Sequence, residues 1–89
     1  MAPRLPSHDP EELAIRVLGF LAEDMERLNR FLAVTGLEAT SLRRAASSPG
    51  FLVSVLDYLL ADESLLLAFA ANHQIAPDSI PHARRKLGV

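Results

Sequence analysis

Residues 51–73 read FLVSVLDYLLADESLLLAFAANH, and no other segment of the 89-residue chain carries apolar side chains around so much of its circumference. Leu52, Val55, Leu56 and Leu59 recur at spacings of three and four, and Leu66, Phe69 and Ala70 continue the stripe, which predicts helix. Gly50, Ser54, Asp57 and Ala61 give the first half a wet face. The stripe is interrupted at Asp62-Glu63-Ser64. An Asp side chain accepts bonds from the backbone N–H groups that a starting helix leaves unpaired, so Asp62 reads as an N-cap between two helices. One continuous helix bending at Asp62 is the alternative.

Upstream, Asp9-Pro10-Glu11-Glu12 supplies an N-cap, a proline at the first helical position and acids in the first turn. The helix it opens should bury Leu13, Val17, Leu18 and Leu21 and end near Ala22, with Glu12, Arg16, Gly19 and Glu23 in water. Asp24 caps a second helix that turns Leu28, Phe31 and Leu32 inward and stops at Gly36. Glu12 with Arg16, Glu23 with Arg27 and Glu26 with Arg30 stand four apart, the spacing of surface ion pairs. A short third helix, from about Thr40 to Ala46, should bury Leu37 and Leu42 before Ser47-Ser48-Pro49 closes it and starts the next.

Downstream, Ala76-Pro77-Asp78-Ser79-Ile80-Pro81 opens the last helix. Pro81 belongs in its first turn, where the missing N–H costs nothing, with capping from Asp78 or a neighbour. Arg84, Arg85 and Lys86 suit the carbonyl end, and Gly88 terminates it. Residues 1–8, with prolines at 3 and 6, read as a flexible tail, leaving residues 9–89 as one helical domain.

Shifted by 38 residues, positions 17–46 align without a gap on 55–84. Val17/Val55, Leu21/Leu59, Asp24/Asp62, Leu28/Leu66, Phe31/Phe69 and Ala45/Ala83 are matched pairs. The expected fold is therefore all-α: a compact bundle of about six short helices built as two similar three-helix units, residues 10–47 and 49–87. The units differ where the first has Ala22, Arg27 and Asn29 and the second has Leu60, Leu65 and Leu67. Leucines that a unit's own core does not require must be buried elsewhere. Either the last helix covers one flank through Ile80 and Leu87, or Leu60, Leu65 and Leu67 mark an interface with a protein partner or a second copy, a homodimer.

At Leu18-Gly19-Phe20-Leu21-Ala22-Glu23-Asp24, at Arg30-Phe31-Leu32-Ala33-Val34-Thr35-Gly36-Leu37 and at Leu59-Leu60-Ala61-Asp62-Glu63, the chain resembles the uncharacterised alphaproteobacterial family catalogued as domain of unknown function 3572. The resemblance runs from Glu12 onward and implies a small helical bacterial protein, without any activity. Members often have proline where this chain has Met25, which fits a helix start after Asp24.

Composition narrows the function. No cysteine is present, so neither a disulfide framework nor a thiolate metal site can form. A net charge of −2 offers no general attraction to nucleic acid or anionic membrane. No apolar run reaches the ~20 residues of a membrane span, and residues 1–6 do not read as a secretory signal, so a cytoplasmic location is expected. His8, His73 and His82 lack metal-ligand spacing, and the acidic pairs Glu23-Asp24 and Asp62-Glu63 are explained by capping. No enzyme, metal or cofactor is expected. The first reading is a non-enzymatic interaction module using an apolar surface on its second repeat. The second is a helix-turn-helix-like nucleic-acid-binding protein contacting phosphate through His82, Arg84, Arg85 and Lys86, disfavoured by the acid Asp78 at the entrance of the reading helix.

Overall fold

A computed structural model describes residues 9–88, all of whose regular structure is helical. The expected flexible tail, residues 1–8, lies outside the described residues. The helices are α1 (Pro10–Ala22), α2 (Met25–Thr35), α3 (Leu42–Ala45), α4 (Pro49–Leu60), α5 (Glu63–His73) and α6 (Ser79–Leu87), with a 3-10 turn, Ala39–Ser41, leading into α3.

Capping chemistry sets most of these boundaries. Asp9 accepts from the Glu12 N–H, and Asp24 accepts from those of Glu26 at 2.9 Å and Arg27 at 3.4 Å. Asp62 accepts from the Leu65 N–H at 3.1 Å, so α4 and α5 are separate helices and not one bent helix. Gly36 ends α2 in the left-handed conformation. Pro81 falls in the first turn of α6 as expected, although Asp78 occupies the capping position without a side-chain bond.

The centre of the molecule is α1 against α4, with α6 lying on both; α2 and α5 add to α1 and α4 respectively. Leu13, Val17, Phe20 and Leu21 meet Leu52, Val55, Leu56 and Leu59, closed by Ile80 and Ala83. Phe20 takes the fully buried place expected of Leu18, which is only half-buried, because an aromatic partner stands opposite it on α5. Leu37 and Leu42 are likewise half-buried; Leu42, at the start of the single turn of α3, packs against the edge of the core.

Helix ends recur under the shift of 38: α2, residues 25–35, falls on α5, residues 63–73, and left-handed Gly36 falls on left-handed Gln74. The packing is nonetheless not that of two self-contained three-helix units. Phe31 of α2 meets Tyr58 of α4 edge to face at 5.1 Å, while Phe69 of α5 meets Phe20 of α1 at 5.4 Å. Each second helix thus sends its phenylalanine onto the first helix of the other half. α3 also does not take the part of α6: it packs chiefly on the preceding 3-10 turn, whereas α6 spans α1 and α4.

None of the three spaced surface pairs closes as a salt bridge; among the described residues that contact is made by Arg84 of α6 and Asp57 of α4, at 2.8 Å. Exposed pairs on one helix gain little over hydration. Arg27 instead lays its guanidinium over the Phe20 ring, 4.4 Å from the centroid, covering the core edge with its planar face.

Candidate functional site

Helix α5 has apolar residues on every side. Phe69 and Ala70 are buried, Leu65 and Leu66 are half-buried, and Leu67 is 48% exposed. A residue two positions from its neighbour points roughly 200° away on a helix, so Leu67 faces outward because Phe69 faces in. By the same geometry Leu65 and Leu67 cannot share one patch. Leu65 and Leu60 pack against the core from its edge, so of the three leucines expected at an interface Leu67 is the one that reaches solvent most fully. The last helix has its main partners in α1 and α4.

The outer face around Leu67 holds Ser64 and Ala71, within one turn on either side, with the half-buried Ala68 at its edge. Its counterpart on α2, 38 residues earlier, holds Glu26, Asn29, Arg30 and Ala33. Two helices of identical length and similar capping thus differ in what they offer to water: α2 keeps charge there, and α5 between Glu63 and His73 has none. Other exposed apolar residues sit in charged company, Ile15 near Glu11 and Glu12 and Val34 one turn from Arg30.

The basic residues of α6 are divided by the structure. Arg84 gives its guanidinium to the Asp57 carboxylate and to the Gly88 carbonyl, whereas His82, Arg85 and Lys86 are exposed. A helix-turn-helix needs two helices packed side by side and a recognition helix long enough to lie in a groove. Here α6 packs principally on α1 and α4, and α3 is one turn long.

One broad, open cleft of about 430 Å³ is lined by Val34, Thr35, Ser54, Asp57, Tyr58 and Ala61. Its polar groups do not converge on a ligand: Thr35 donates to the Phe31 carbonyl, Ser54 to the Gly50 carbonyl, and Asp57 is held by Arg84. Among the described residues no group of three or more His, Asp or Glu side chains is arranged to hold a metal ion, and no helix is long and apolar enough to cross a membrane.

A model of the family described as a protein of unknown function (DUF3572) matches residues 7–89. No curated protein and no solved structure matches the chain.

Proposed function

Since the chain belongs to the DUF3572 family, proteins of unknown function, we propose from its own surface that it is a non-enzymatic, cytoplasmic protein-interaction module whose contact face is the outside of α5. The observation that carries this reading is the contrast between the paired helices: where α2 shows Glu26, Asn29 and Arg30 to water, α5 shows Ser64 and Leu67 and holds Ala68 half-buried against the core. Apolar surface left open on a small domain is a cost to solubility unless a partner covers it. The half-buried Leu60 and Leu65 support the face from behind by fixing α5 against the core.

The test places a benzophenone amino acid at position 67 in one chain and at position 29 in another, each expressed in the native cell and irradiated. The expected result is a discrete protein adduct from position 67 and none from 29. Equal labelling from both positions, or none from either, would overturn the reading.

Binding of nucleic acid by α6 stands second. With Arg84 held by Asp57 it rests on His82, Arg85 and Lys86. A salt-dependent shift of labelled duplex DNA that disappears on Arg85→Glu and Lys86→Glu would promote it.

A further inference from the structure

The outer face of α5 has spacings that read the same from either end. Ser64, Leu67, Ala71 and Gln74 stand in sequence along it, polar, large, small, polar, and their spacings of three, four and three are symmetric about position 69. On the helix Ser64, Leu67 and Ala71 fall within an arc of roughly 60° and a length of roughly 10 Å, and Gln74 follows as the cap at the end of the row. Turned end for end by a two-fold axis at position 69, the face presents Ala71 to Leu67 and Gln74 to Ser64. A large side chain then meets a small one, and a hydroxyl meets an amide able both to donate and to accept.

A second observation falls on the end of this row. Gln74 is the non-glycine residue with a positive φ among the described residues, 55°, at the position where the first half of the chain has Gly36. Left-handed backbone is unfavourable for a residue with a Cβ, and glycine would relieve it. The Gln74 side chain is exposed.

Charge fixes the direction of pairing. Asp62 and Glu63 stand at the N-terminal end of α5 and His73 at the other. Parallel pairing would set the two acidic ends, and the like ends of two helix dipoles, against each other; antiparallel pairing sets each acidic end beside the far end of the other helix.

We propose that α5 is the two-fold contact of a homodimer, antiparallel to its copy, with Leu67 seated on the partner's Ala71 and the Gln74 amide reaching the partner's Ser64 and Glu63. This rests on the interaction reading above and names its partner as a second copy of the chain. A single face of this length lies below the ~800 Å² per partner of a stable complex, so the dimer is weak and depends on concentration.

Because the chain has no cysteine, introduced thiols report the register cleanly. Chains carrying Leu67→Cys and Ala71→Cys are mixed in equal amounts, oxidised gently and weighed by intact mass spectrometry. Random collision gives the mixed disulfide about half of all dimers; the proposed register, which brings these two positions together, gives it a clear majority. A majority of Leu67→Cys homodimers, or the random ratio, would overturn the contact. In parallel, Gln74→Gly is expected to weaken association of the otherwise unaltered chain by at least about fivefold, the worth of one net hydrogen bond, without lowering its melting temperature. Unchanged association would remove Gln74 from the contact. If the wild type is monomeric while position 67 still forms an adduct with a different protein, the homodimer falls and the interaction reading stands.

Discussion

Replacing Phe69 by alanine tests the interlocked core directly. The side chain is fully buried, meets the Phe20 ring edge to face at 5.4 Å and stacks on His73 at 4.5 Å. Truncation removes its burial and leaves a cavity walled by α1, so the expected loss is about 3–5 kcal/mol. An edge-to-face partner contributes about 0.5–1.5 kcal/mol of pair energy, which places the loss toward the upper part of that range. Against the ~5–15 kcal/mol of a typical domain this is a large fraction, and at roughly 4–8 °C per kcal/mol for a domain near this size it lowers Tm by at least about 12 °C. Urea unfolding followed by far-UV circular dichroism gives the free energy, and a melt gives Tm. Phe69→Leu, which keeps much of the volume but loses the ring geometry, should cost less than half as much. A loss below about 1 kcal/mol for Phe69→Ala would show that α5 does not dock onto α1 as described.

Five smaller perturbations test other parts of the fold. Asp24→Ala and Asp62→Ala should each cost about 0.5–2 kcal/mol in the same unfolding assay, with Asp24 the more expensive because it accepts from two N–H groups and Asp62 from one. Gly36→Ala forces a Cβ into φ of 76° and should destabilise by about 1–2 kcal/mol, whereas Gln74→Gly at φ of 55° should leave stability equal or slightly higher; a loss at Gln74→Gly would contradict the strain assigned there. Arg84→Ala should cost no more than about 1 kcal/mol, and less in high salt, since its Asp57 partner is half open to water; a loss of several kcal/mol would show that this pair, and not the apolar contact beneath it, fastens α6.

What was legible in the sequence was what depends on neighbours along the chain. The caps at Asp9, Asp24 and Asp62, the stop at Gly36 and the core stripe of Leu52, Val55, Leu56 and Leu59 all follow from helix termini and periodicity. What depends on approach in space was not legible. Arg27 is placed to pair with Glu23 by spacing, yet its guanidinium lies over the buried Phe20 ring, which Phe69 of α5 meets from another side. Arg84 and Asp57 are 27 positions apart, and no local pattern joins them. The crossing of Phe31 and Phe69 between the halves was equally hidden, since an alignment of the two halves says which residues correspond without saying which half each one touches. At the candidate site, the substitution of Arg27 and Asn29 by Leu65 and Leu67 was visible, but only the placement of Phe69 decides that Leu67 is the one turned outward. The left-handed backbone at Gln74 had a readable signal, its alignment with Gly36.

The most direct measurement is equilibrium sedimentation of the wild-type chain beside Leu67→Asn, the residue that the first half of the chain carries at the corresponding position. The wild type is expected to rise above the 9.7 kDa of one chain as concentration increases, while Leu67→Asn stays at one chain with its helical content and Tm unchanged. A wild type that remains at 9.7 kDa at the highest concentration reached, or a Leu67→Asn chain that associates equally well, would contradict the assignment of α5 as a contact between copies.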